Sequence, residues 1–203
     1  MTTQITSTTE LQAVNTMLSF LGESPVSSIT GTVGTDVAVA KQILDETSLS
    51  IQSQGWYFNR EFEITATRDT DDKVPLESNC VAAEPSQPYQ YQYQYTIRNG
   101  YLYDLENHTD VFTADPLIDK VLVQQFEHLP EYARRYITAK AARRFVARYL
   151  GSSEVVKLAS LDEQEAHTQF EQADSRAMDA NMLKLDYNLD YITNRGFKRS
   201  SRS

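Results

Sequence analysis

The chain has 203 residues, 28 of them acidic and 19 basic, for a formal net charge of −9. That length gives one sizeable domain or two small ones, enough to bury a substantial core. The acidic balance excludes a general nucleic-acid binder, which needs a basic face to displace counterions. The single cysteine, Cys80, excludes an internal disulfide and a cysteine zinc cluster.

The charge is uneven. Residues 1–130 carry 6 basic and 18 acidic side chains, whereas residues 131–203 carry 13 basic and 10 acidic ones. The first nine residues are polar and lack the basic-then-apolar layout of a signal peptide. No run approaches the ~20 apolar residues of a membrane span, so the expected compartment is the cytoplasm.

A first helix is expected from Ser7, because Ser7-Thr8-Thr9-Glu10 has the form of a capping box. Leu11, Val14, Leu18 and Leu21 follow at helical spacing, and Gly22 and Pro25 end the run. A second helix begins at Thr35 or Asp36, with Val37, Ala40, Leu44, Thr47 and Ile51 as its buried stripe and Gly55 as its cap. Trp56, Phe58, Phe62 and Ile64 then alternate with polar residues as in a half-buried strand. Residues 66–88 read as loop. Asn99-Gly100 sits between two β-prone runs, 93–98 and 101–105, which is a hairpin signal: a type I′ turn needs positive φ at both central positions. A further strand is expected over 120–126.

Two long helices follow. The helix over 131–150 puts Tyr132, Ala139, Ala142, Phe145, Val146, Tyr149 and Leu150 on one side, and Arg134, Lys140, Arg143, Arg144 and Arg148 on the other. Gly151 stops it. A helix from Ser152 or Ser153 to about residue 180 is acidic, with Val155, Leu158, Ala166, Phe170, Ala173 and Ala177 as its apolar side. A basic and an acidic helix joined by a short turn form an antiparallel hairpin whose register charge pairing would set.

The fold class is therefore α+β: a bundle of about four helices with a β-rich insertion containing a hairpin. The expected divisions are 1–55 and 129–180 for the helical part, 56–128 for the insertion, and 181–203 for a tail that a partner orders or leaves free.

The chemistry is sparse. His108, His128 and His167 are far apart, and no second ligand lies at metal-binding spacing. Cys80 has no histidine nearby. Gly31-Thr32-Val33-Gly34 lacks the Lys-Ser/Thr of a phosphate loop, and no Gly-x-Ser-x-Gly elbow occurs. No cofactor is expected. Three features suggest binding instead. Tyr89, Tyr91, Tyr93 and Tyr95 alternate with glutamines, so a strand would gather them on one face, either as a buried stripe or as a partner surface continued by Tyr101 and Tyr103. The basic side of helix 131–150 pairs within the chain or contacts phosphates or a neighbouring subunit. The tail, with Tyr187, Tyr191, Phe197, Lys198 and Arg199, is a docking arm or a free end.

Several stretches carry a family resemblance. They are Leu11 to Asn15 with Leu21-Gly22-Glu23-Ser24-Pro25-Val26, then Gln52-Ser53-Gln54-Gly55-Trp56-Tyr57-Phe58-Asn59, then Asn99 to Asp104, and Leu129-Pro130-Glu131 with Arg135-Tyr136-Ile137. In this order the chain resembles the tail tubular protein A family of short-tailed (podovirus) bacteriophages. The resemblance implies a structural virion protein, an adaptor or gatekeeper at the portal vertex, assembled in the host cytoplasm. Its implied partners are the portal protein, the tail nozzle (tail tubular protein B), the tail fibres and copies of itself in a dodecameric ring. DNA would pass through that ring without specific binding, and no membrane is involved. The alternative reading is a tail-associated polysaccharide hydrolase or a carbohydrate-binding tail component.

Overall fold

The computed structural model describes residues 7–86, 89, 92–149 and 153–185, with side chains up to residue 178 in the last helix. Helix α1 covers Glu10–Ser19 and α2 covers Thr35–Gln52. The insertion follows, with β1 (Arg60–Thr65), β2 (Cys80–Pro85), β3 (Tyr95–Arg98), β4 (Tyr101–Asp104) and β5 (Leu117–Leu122). Helices α3 (Glu131–Tyr149) and α4 (Ser153–Leu185) return the chain to the bundle. The α+β expectation, a four-helix bundle with a β-rich insertion and a hairpin, matches this architecture.

Helix α1 begins two residues later than expected. Its cap is Thr9, whose hydroxyl accepts from the Gln12 amide while the Gln12 side chain accepts from the Thr9 amide. Both Ser7 and Thr9 lie three residues before a side chain that can reach back, so the motif alone had two registers. Tertiary contact selects one, because Glu131 accepts from the Thr8 amide and hydroxyl at 2.8 and 2.7 Å. Helix α2 is capped by Gly34 without a side-chain bond, so Thr35 and Asp36 lie in its first turn, and it ends at Ser53 rather than Gly55.

Gly55 has another task. At φ +73° it turns the chain into the insertion, and a Cβ there would meet Val121 Cγ2 at 2.9 Å. The expected strand from Trp56 is first a 3₁₀ turn, Tyr57–Asn59, because Asn59 is drawn inward. Its amide nitrogen donates to the carbonyls of Gln52 and Leu122, and its oxygen accepts from the Trp56 amide. Strand β1 then carries a bulge between Glu61 and Ile64, with Glu63 at φ +55°. The extra residue breaks the alternation and leaves Phe62 48% exposed.

Strands β1, β5 and β2 form an antiparallel sheet in that order, with β5 central. Strand β2 lies inside the segment expected to be loop, since Cys-Val-Ala-Ala-Glu-Pro has little β signature of its own. Strand β5 starts three residues earlier than expected, and its residues Ile118 to Leu122 are all buried because neighbours cover both faces. Lys120 is buried among them and bridges Glu61 of β1 and Glu77 of the loop before β2. The hairpin β3–β4 forms as expected, with Asn99 at φ +53° and Gly100 at φ +80°.

Two cores result. The helical core joins Val14, Met17, Ile43, Leu44, Ile137 and Phe145 with residues of all four helices, and takes in Trp56, Phe58 and Phe126 from the connections. The smaller core unites Val74, Ala83, Leu102, Phe112 and Ile118. Two expected faces shift. In α3 the buried side is centred on Ala133, Tyr136, Ile137 and Ala141, and Tyr149 is exposed. In α4 Ala159 is buried and Leu158 is exposed. The Gly151-Ser152 turn and Leu150 lie outside the described residues.

The cap assignment has a direct check. Thr9→Ala is expected to lower stability by about 1 kcal/mol in urea titration, and Ser7→Ala by much less. An equal loss at both positions would place the cap elsewhere.

Candidate partner-binding surfaces

The tyrosine run does not form the expected strand. Turn bonds hold the described residues before β3: the Tyr89 amide donates to the Ser86 carbonyl, and the Gln92 and Tyr93 amides donate to the Tyr89 carbonyl. Pairing to β4 begins only at Tyr95. The turn brings the aromatic rings together all the same. Tyr89 and Tyr93 stand 6.4 Å apart between centroids, Tyr93 stacks on Tyr95 at 5.9 Å, and Tyr95 meets Phe112 edge-on at 5.7 Å. Tyr89 is 41% and Tyr93 38% exposed. Tyr91 lies outside the described residues.

These rings line one wall of a groove of about 570 Å³, whose other wall is the loop from Val111 to Leu117 and whose floor carries Asp104 and Asn107. Burial drives the Asp104 carboxyl upward, but the Asn107 side chain and the backbone amides of Asn107 and Glu106 hold it below its ordinary range. Burial, with Asp104 and Tyr93 beside it, raises the Tyr95 phenol to about 12. The groove therefore keeps the neutral Tyr95 phenol beside the ionised Asp104 carboxylate. It offers aromatic faces and hydrogen bonds to a polypeptide segment.

Tyr101 and Tyr103 are not part of this wall. In the hairpin Tyr95 and Ile97 oppose Asp104 and Leu102 on one side, whereas Tyr101 and Tyr103 stand on the other. There Lys73 lies 5.9 Å over the Tyr101 ring and Arg98 lies 3.7 Å over that of Tyr103. The five described tyrosines thus make two surfaces.

The basic side of α3 does not act as one face either. Arg134 donates to the carbonyls of Leu129, Thr8 and Glu127, and so ties the segment before α1 to the start of α3. Lys140 turns onto Tyr136, with a 3.2 Å bond to its hydroxyl. Arg143 pairs with Glu163 of α4, but Arg144 reaches Thr47 and Arg148 reaches Glu46, both on α2. Of the expected charge zipper with α4, only Arg143 remains among these five, because α3 is central and its arginines serve neighbours on two sides.

Two residues that sequence reasoning passed over matter more. Gln52 is fully buried, and its side chain donates to the Gln124 carbonyl and accepts from the Gln124 amide, at 3.0 and 2.7 Å. With Asn59 it stitches together the chain's entry to the insertion and its exit. A buried Gln and Asn flanking Gly-Trp in a helix-ending stretch was the available signal. The tail residues Tyr187, Tyr191, Phe197, Lys198 and Arg199 lie outside the described residues. Among those described, no group of three His, Cys, Asp or Glu side chains is placed to hold a metal, and no helix is long and apolar enough to cross a membrane.

The architecture is a helical body with a β insertion that carries an aromatic groove. A family model described as Tail tubular protein matches residues 11–180, and the chain belongs to that family. A curated relative, the tail tubular protein A of Klebsiella phage KP34, is 34% identical over 129 residues, 63% of this chain and 66% of that protein. By that membership the chain is a structural protein of the phage tail.

Two measurements test this geometry. Arg134→Met removes three bonds to carbonyls and is expected to cost about 1–3 kcal/mol, against at most ~0.5 kcal/mol for Lys140→Met, by chemical denaturation. The raised Tyr95 phenol contributes stability that is complete below the ordinary tyrosine range and is lost as pH rises through about 12. Tyr95→Phe is expected to flatten that alkaline loss in a pH series of melting temperatures, and an unchanged slope would count against the burial of this phenol.

Proposed function

We propose that the protein is a head-to-tail adaptor, a ring around the DNA channel that joins the portal at the capsid vertex to the tail nozzle. The observation that carries this reading is the family match over residues 11–180, which spans both the helical body and the insertion. The net charge of −9 suits a channel protein, because DNA must slide past without being gripped. In this reading the helices form the ring body, and the groove of Tyr89, Tyr93 and Tyr95 receives the nozzle or a fibre. Arg143, Arg144 and Arg148 hold the bundle from within. The tail 181–203 docks on the portal. The ring is dodecameric and self-assembles at the vertex. The hydrolase alternative has no catalytic motif behind it.

Electron microscopy of the protein mixed with portal and nozzle proteins decides the matter. A ring seated between the two is expected, and a protein that binds neither sinks the proposal. In the same assay Tyr89→Ser/Tyr93→Ser should still seat on the portal and lose the nozzle or fibre. Full attachment by the folded variant would remove the groove from the interface.

A further inference from the structure

The polar groups that line the tyrosine groove restrict what can occupy it. Tyr89, Tyr93 and Val111, each more than a third exposed, line it from its two walls. The acceptors of the loop wall are already in use. The Phe112 carbonyl accepts from Arg68, that of Pro116 from the Ala66 amide and that of Leu117 from the Ser86 amide. The Asp115 carboxylate is paired with Arg68 at 2.9 Å. On the floor, Asp104 takes the amides of Glu106 and Asn107 and the Asn107 side chain. A peptide N–H entering this groove gives up water for few replacements, which burial penalises. The same engaged carbonyls disfavour an added β-strand, which needs a ladder of free donors and acceptors.

A proline carries no N–H to satisfy, and its carbonyl can accept from a tyrosine hydroxyl. The Tyr95 phenol, raised to about 12, keeps its proton for this. The dimensions agree. The ring centroids step 6.4 Å from Tyr89 to Tyr93 and 5.9 Å from Tyr93 to Tyr95. A polyproline II turn takes three residues and about 9 Å, so the two steps accommodate little more than one turn. Charge adds a second preference. Arg68 pairs with Asp72 and Asp115, and Lys73 with Asp110. Asp104 is ionised and Glu106 is exposed, with His108 as the base near Asp104. This rim is net negative and favours a cation on the incoming segment.

We infer that the groove binds a proline-rich segment in the polyproline II conformation, with a basic residue at its flank. The inference rests on the reading of the groove as the contact for the nozzle or a fibre, and gives the chemistry of the segment that those partners present. Such a segment is ordered before it binds, so little conformational entropy is lost on docking.

Peptide binding tests it. A fluorescein-labelled peptide of eight prolines with an arginine at each end is titrated with the full chain and followed by anisotropy. Saturable binding is expected, about ten-fold tighter than for the same peptide with glycine and serine in place of proline. Glutamine in place of its arginines is expected to weaken binding about three-fold, as loss of an exposed ion pair implies. Tyr93→Ser is expected to cost about ten-fold and Val111→Ser, on the other wall, about three-fold. Tyr103→Ser, on the far side of the hairpin, is expected to leave the affinity unchanged. No saturable binding, equal affinity for the glycine-serine peptide, or full affinity in both Tyr93→Ser and Val111→Ser with unchanged circular dichroism overturns the inference. Binding of dextran in place of the peptide overturns it as well and assigns the groove to a polysaccharide. A ring still seated between portal and nozzle alongside any of these results removes the proline-rich occupant and keeps the adaptor reading.

Discussion

The slot filled by Phe170 holds the helical bundle and the β insertion in one piece. Its ring lies 4.4 Å from Trp56, 5.0 Å from Tyr136, 5.8 Å from Tyr132 and 6.4 Å from Phe58, and it is fully buried. Those four rings come from α3 and from the segment that leads into the insertion. Aromatic pairs of this kind contribute about 0.5–1.5 kcal/mol each beyond their area. Without α4 against this slot, the segment 56–59 would have no wall to lean on. Asp174, one turn further along α4, adds a polar anchor by accepting from the Tyr57 amide at 3.0 Å.

From that slot the hinge is built outward. Trp56 donates its indole N–H to the Ile51 carbonyl, and Asn59 and Gln52 bind backbone of both the outgoing and the returning chain. Each buried amide is satisfied, as burial demands. The insertion is thus attached by two adjacent strands of chain that cannot move separately. For a structural tail protein this matters, since force applied to the insertion passes into the bundle through one stitched junction. The stretch from Gln52 to Asn59, one of those carrying the family resemblance, is that junction.

The basic helix serves a similar end. The basic side of this helix was expected either to pair within the chain or to contact phosphates or a neighbouring subunit, and Arg134, Arg143 and Arg144 spend their donors on carbonyls, a carboxylate and a hydroxyl within the fold. Arginine suits such work because its planar fork meets several acceptors at once. That engagement of Arg134, Arg143 and Arg144 within the fold is invisible in the total charge.

How much was legible follows from range. The four helices, the Asn-Gly hairpin and the absence of catalytic motifs are properties of local pattern: periodicity, turn chemistry and composition. They could be read from the residues, and the family resemblance was carried by short motifs in order. Strand β2 could not, because its pairing partner β5 lies more than thirty residues away and its own residues are weak β formers. The choice of Thr9 over Ser7 depended on Glu131 across the bundle. The tyrosines show the division most clearly. Sequence determined that they would cluster; only tertiary structure decided that Tyr89, Tyr93 and Tyr95 share a groove while Tyr101 and Tyr103 face the other side. Alternation assigns a face only where a strand exists, and the backbone turns before β3 begins.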